Sequence, residues 1–145
     1  MKIGYTTGAY DLFHIGHLNI FRNAKKHCDY LIVGVSTDEL IQKYKNKTPV
    51  IPFAERQEIV KSIKYVDKVV AQTSLDKVIP AVKVKANIVF VGSDWQNSPS
   101  WDEYEAELAR HGIKVVYLPH TARLTTTRLI DQIQAMPLRA KPSSS

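Results

Sequence analysis

An α/β protein built on one open parallel sheet, about five strands with helices on both faces, is the fold that this sequence predicts. Three observations predict it. Short apolar runs recur along the chain, each separated from the next by a segment whose apolar residues have helical spacing. The runs are continuous rather than alternating, as in strands buried on both faces. The residues able to do chemistry fall just after the runs, where open parallel sheets bind their ligands. A strand–helix alternation of this kind is satisfied by a doubly wound, Rossmann-like sheet.

The elements follow in order. Residues 2–7 (KIGYTT) read as the first strand, and Leu18, Phe21, Ala24 and Cys28 line the helix after it. Residues 30–35 (YLIVGV) form the second strand, with Asp38 at the start of a helix that it is expected to cap. Lys45 and Lys47 then fall in a loop. Ile59, Ile63 and Val66 repeat at helical spacing after Pro52, and residues 68–71 make a third strand. Leu75, Val78, Ile79 and Val82 line a further helix, with Pro80 a kink or an early break. Residues 88–91 are the fourth strand. Ser100 and Glu103 have capping-box spacing before a helix through Ala109, and Gly112 reads as its stop. Residues 113–118 are the fifth strand. Leu129, Ile130 and Ile133 begin a last helix, ended by Pro137. One domain over residues 1–136 and a disordered tail over 137–145 are expected.

The most informative run is Gly8-Ala9-Tyr10-Asp11-Leu12-Phe13-His14-Ile15-Gly16-His17. Two imidazoles three residues apart, with a glycine between them at the mouth of a helix, suit a polyphosphate. Gly16 lets the backbone come close, and a helix N-terminus offers unpaired N–H groups and a positive dipole end. A metal site on the two histidines is disfavoured, because no third ligand stands at suitable spacing on the same helix.

Composition narrows the partners. The 145 residues carry a formal charge of +6 and are 44% hydrophobic, enough for a proper core. The charge suits polyanions in general. The positive residues are dispersed, without an aromatic-interleaved basic stripe, so no nucleic-acid partner is expected. No apolar run reaches the ~18 residues that span a bilayer. The start lacks the pattern of a signal peptide, and Cys28 stands alone, so a reducing, cytoplasmic location without membrane insertion is expected.

The HxGH run at His14–His17 resembles the signature of the nucleotidyltransferase superfamily. The approach to it, Gly8, a small residue, an aromatic, Asp11 and two apolar residues, resembles the cytidylyltransferase version. Ser36-Thr37-Asp38-Glu39, Pro49-Val50-Ile51-Pro52-Phe53-Ala54-Glu55-Arg56, Lys64-Tyr65-Val66-Asp67-Lys68-Val69, Gly92-Ser93-Asp94-Trp95 and the late Thr125-Thr126-Thr127 are similar to segments of glycerol-3-phosphate cytidylyltransferases in the same order. The resemblance runs from about residue 2 to about residue 133.

It implies transfer of CMP from CTP to an alcohol phosphate, with Mg²⁺ as cofactor. It implies His14, His17 and Lys47 as the catalytic groups and Asp11 as a magnesium ligand. Thr7, Gly8, Ala9 and Tyr10 would lie along the nucleotide, largely through backbone groups. Lys45 and Arg56 match phosphate-contacting positions, and Asp94 and Trp95 would lie against ribose and cytosine. Thr125, Thr126 and Thr127 would meet the β- and γ-phosphates. Relatives carry Arg-Thr-x-Gly-Ile-Ser-Thr-Thr in that late segment, whereas here His120 replaces the arginine and Arg123 the glycine. Either His120 or Arg123 takes the lost role, or the acceptor differs. Residues 96–110, with Trp101 and Tyr104, are candidates to shape the acceptor pocket, and a phosphonate or longer polyol phosphate stays open. A homodimer is implied through residues 64–67. Two rival readings stay open: an adenylyltransferase on the same fold, and a non-catalytic nucleotide-binding relative.

Overall fold

A computed structural model of the chain describes residues 1–119 and 126–137. Five strands form one sheet: β1 (Ile3–Gly8), β2 (Tyr30–Ser36), β3 (Lys68–Gln72), β4 (Ile88–Gly92) and β5 (Lys114–Leu118). All neighbours pair in parallel, in the order β3-β2-β1-β4-β5. The chain therefore winds outward in one direction from β1 to β3, then returns to β4 on the other side of β1. That reversal places the switch point between the carboxyl ends of β1 and β4, where such sheets leave a crevice.

Alternation within each strand assigns the two faces. Leu31, Val33 and Val35 of β2 and Ile88 and Phe90 of β4 pack with Phe21, Ala24 and Cys28 under helix α1 (Ile15–Lys25), and with Val60 of α3 (Phe53–Lys61). Ile32, Val89 and Val91 point the other way. They meet Tyr5, Ala81 of α4 (Ile79–Lys83), and Trp101 and Leu108 of α5 (Pro99–Arg110). A side-chain period of two on a central strand makes this two-sided burial possible.

Close packing under α1 requires a glycine at position 4. A Cβ there would run into the Phe90 ring and lie 2.8 Å from Cys28 Sγ. The Cys28 thiol is buried, donates to the Ala24 carbonyl at 3.4 Å, and is pushed up in pKa by burial.

Several expected boundaries shift. Helix α2 (Asp38–Lys45) is capped by the Thr37 hydroxyl, which accepts Leu40 N–H, rather than by Asp38. It keeps Lys45 as its last residue and ends at Asn46 with φ 52°. The cap of α5 is Ser98, accepting Trp101 N–H at 3.3 Å, rather than Ser100, because Pro99 takes the first helical position, where its missing N–H costs nothing. Pro80 likewise lies in the first turn of α4 and kinks nothing; α4 is only five residues long. Gly112 follows α5 with φ +72°, a stop as expected. Trp101 and Tyr104 stack edge to face at 5.3 Å in the core beneath α5, and the Tyr117 hydroxyl donates to Glu105. These contacts hold α5 to the sheet. Helix α6 (Thr126–Ala135) closes the described chain.

Candidate active site

The loop between β1 and α1 forms the centre of the site. Gly8 ends β1, and a Cβ there would lie 2.9 Å from the Tyr10 ring, so the strand must end in glycine for the loop to fold back over it. Tyr10 and Leu12 both adopt left-handed backbone, with φ 54° and 49°. For residues with a Cβ this costs roughly 1–2 kcal/mol each, and it persists only where surrounding contacts fix it. Tyr10 is buried, its ring set edge-on to His17 at 5.4 Å and against Phe21 at 5.0 Å. Its side chain is therefore part of the wall behind the histidines, consistent with any nucleotide contact being made by its backbone.

His14 is the N-cap of α1, and the two histidines cap the helix reciprocally. Gly16 N–H donates to His14 Nδ1 at 3.0 Å, and His14 N–H donates to His17 Nδ1 at 3.2 Å. An Nδ1 that accepts must be unprotonated, so each neutral ring carries its proton on Nε2. The rings stack with centroids 3.9 Å apart. His14 Nε2 is buried and has no hydrogen-bond partner among the described residues. Burial pushes both pKa values down, that of His17 to about 3, with the neighbouring His14 lowering it further and Asp11 opposing. The pair is therefore neutral: two Nε2–H donors whose other nitrogens are pinned by backbone.

Asp11 does not match the expected magnesium ligand. It is buried, and its two carboxylate oxygens accept Val50 N–H at 2.8 Å and Ile51 N–H at 2.9 Å. Its carbonyl accepts the Thr126 hydroxyl at 2.8 Å. A carboxylate held in this way is turned into protein rather than toward a ligand. No group of three or more metal-binding side chains converges among the described residues. The side chains present thus do not fit a resident metal centre.

Arg56 also departs from expectation. It is fully buried, and it donates to the carbonyls of Ile51 (2.8 Å), Ala9 (2.7 Å) and Ser36 (2.7 Å) and to Asp38 (2.7 Å). A guanidinium spent on four protein acceptors is scaffold, not a phosphate contact. The correction has a physical origin: three loops end here with carbonyls facing inward, and a buried carbonyl needs a donor. Asp38, which also accepts Phe53 N–H, is held below the usual carboxylate range by Arg56 and that amide, against the opposing effect of burial.

The remaining expected residues are distributed around this framework. Thr7 lies in β1 just before Gly8, and Ala9 lends its carbonyl to Arg56. Lys45 ends α2 and Lys47 follows in the segment whose Val50 and Ile51 amides Asp11 holds; both lysines are exposed. Trp95 ends the single 3-10 turn after β4 and is 51% exposed, so ordinary core packing does not explain it. Asp94 precedes it in that turn; its side chain lies outside what the structure describes. Thr126 and Thr127 open α6. The Thr126 hydroxyl hydrogen is committed to Asp11, which leaves the Thr127 hydroxyl and the helix N-terminus to face an anion. His120, Arg123 and Thr125 lie outside the described residues.

Lys77, between β3 and α4, carries no motif and was not expected. It is half-buried, and burial lowers its pKa.

The comparisons agree with this geometry. A family model described as cytidylyltransferase-like matches residues 5–145. A glycerol-3-phosphate cytidylyltransferase of Staphylococcus aureus is 32% identical over 134 residues, covering 92% of this chain and 96% of that one. A glycerol-3-phosphate cytidylyltransferase of Bacillus subtilis is 30% identical over 137 residues, covering 94% and 100%. Among solved structures, the lipopolysaccharide core biosynthesis protein of Thermoplasma volcanium superposes with a TM-score of 0.69 at 25% identity, over 83% of this chain and 97% of that one. Thermotoga maritima TmcAL, bound with alpha-thio ATP, has the same fold with a TM-score of 0.64 at 16% identity, over 92% of this chain and half of its own. The sheet order, the site at the switch point and these matches converge: the chain is a nucleotidyltransferase that belongs to the cytidylyltransferase-like family.

Proposed function

We propose that this enzyme transfers CMP from CTP to a small alcohol phosphate, with glycerol 3-phosphate the default acceptor. An oxygen of the acceptor phosphate attacks the α-phosphorus, the bond to the β-phosphate oxygen breaks, and pyrophosphate leaves with that electron pair. The products are a CDP-alcohol and pyrophosphate. Magnesium travels with the triphosphate as part of the nucleotide substrate.

The observation that carries this reading is the unpartnered, buried Nε2–H of His14 beside the stacked His17. A buried donor left without a partner costs stability, and it is retained where an acceptor arrives with the ligand. The attacking phosphate is already anionic near neutral pH, so no general base is required. What the reaction needs is donors fixed where charge gathers on the α- and β-phosphate oxygens. The helix N-termini of α1 and α6 and the lysines at 45 and 47 supply further positive potential. The two bacterial relatives named for glycerol 3-phosphate support the choice of acceptor.

Pyrophosphate release measured separately with CTP and ATP, against a panel of alcohol phosphates and phosphonates, tests the reading. Turnover with CTP and glycerol 3-phosphate is expected. Turnover with ATP alone across the panel would replace it with adenylyl transfer. In the late segment, Arg123 is the favoured successor to the arginine of the relatives, so Arg123→Ala is expected to impair turnover more than His120→Ala.

A further inference from the structure

We propose that Asp11 is a positioning residue that latches the 46–52 segment onto the catalytic loop, and that it does not bind the metal of the nucleotide substrate. The proposal rests on the cytidylyl-transfer reading for its catalytic part and on geometry alone for the latch. Both carboxylate oxygens are occupied by consecutive amides of the opposite segment, Val50 and Ile51. The carbonyl of the same residue receives Thr126, so three chain segments meet at one amino acid. Arg56 closes the circuit from the other side by joining the Ala9 and Ile51 carbonyls.

The backbone supplies a second, independent observation. Asp11 lies between two non-glycine residues in left-handed conformation, Tyr10 and Leu12. Such a pair relaxes unless something holds the residue between them, and the carboxylate bonds do so. His14 follows two residues after Leu12. The position of its free Nε2 is therefore set by the same bonds that hold the segment carrying Lys47. The carboxylate fixes the distance between a donor on one segment and a cation on another, which is what a reaction catalysed by charge placement requires.

Asp11→Asn tests the latch. The amide keeps one acceptor oxygen and sets an NH₂ group against the second backbone N–H. Amide hydrogen exchange at Val50 and Ile51, followed without nucleotide, is expected to rise at least tenfold. Turnover with CTP is expected to fall at least tenfold, while the Mg²⁺ concentration giving half-maximal rate stays within twofold of the parent. Val50→Pro removes one latch donor and leaves Asp11 intact; it is expected to lower turnover similarly and to speed exchange at Ile51. A tenfold rise in the Mg²⁺ requirement of Asp11→Asn, with normal turnover in Val50→Pro, would overturn the proposal in favour of metal binding. Unchanged exchange at Val50 and Ile51 in Asp11→Asn would also overturn it. If Asp11→Asn does not fold, Val50→Pro decides. Failure of the parent enzyme to use CTP would defeat the cytidylyl reading, and the exchange measurement would still judge the latch.

Discussion

The hydroxyl of Thr126 donates to the carbonyl of Asp11 across 115 residues of sequence. This bond brings the first turn of α6 beside the loop that ends in His14. Two helix N-termini, α1 and α6, are thereby joined to one loop, and each carries the positive end of a helix dipole. On the cytidylyl-transfer proposal, an elongated anion such as a triphosphate would lie between them.

Removing either imidazole is expected to lower kcat by about a hundredfold, the usual cost of about 3 kcal/mol for one transition-state donor. His14→Ala also loses an N-cap, worth about 1 kcal/mol of stability. His17→Asn retains an acceptor for His14 N–H and is the cleaner variant. Steady-state kinetics at saturating CTP, with urea unfolding of each variant, check both effects. Normal turnover would remove the role assigned to that ring.

The histidine protonation states set a pH dependence of stability. Burial lowers the His17 pKa to about 3, whereas the unfolded chain titrates near 6.5. Between those values the unfolded chain binds a proton that the folded protein refuses. The contribution of His17 is thus complete above about pH 6.5 and is lost as the pH falls toward 3. Urea midpoints measured at pH 7 and pH 5 are expected to drop, and the drop should shrink in His17→Asn. The rate, which uses neutral donors, should not decline between pH 7 and 8 through loss of a histidine proton.

Arg56→Ala is expected to destabilise the fold by about 3 kcal/mol, because it strands inward-facing carbonyls of Ala9, Ser36 and Ile51 and leaves Asp38 without its partner. Arg56→Lys should recover little, since one ammonium cannot serve four acceptors on three separate chain segments. Denaturant unfolding measures this. Full stability with only a raised KM for CTP would restore the phosphate-contact reading.

A homodimer is proposed, and residues 64–67 are the segment that the resemblance assigns to it. Within one protomer the Asp67 carboxylate already accepts Leu31 N–H and pairs with Lys25, and the Tyr65 hydroxyl accepts Arg22. Any pairing surface there is thus pre-ordered, with the exposed Lys64 lying over the half-buried Tyr65 ring. Light scattering at micromolar concentration is expected to give twice the monomer mass, and a monomer mass would refute it.

Strand positions were legible because a continuous apolar run such as residues 30–35 has few other uses in a chain of this length. The clustering of His14 and His17 at the mouth of α1 was legible because it is local: cap, glycine and ring lie within four residues. Asp11 and Arg56 were misread for the opposite reason. Their partners are 39, 40 and 47 residues away, and no local pattern says whether a charged side chain turns toward a ligand or toward inward-facing backbone. Ser100 was misread because Pro99 fixes the first helical position and moves the cap to Ser98.

The thiol wedged between Gly4 and the Ala24 carbonyl gives the chain an internal clock of its own integrity. Cys28 is the only cysteine in the sequence, is buried, and stays protonated at neutral pH because burial raises its pKa. A thiol reagent reaches it in step with opening of the layer between α1 and the sheet. The labelling rate of unmodified protein thus reads out the opening of the core on which the catalytic loop is mounted, with no introduced probe.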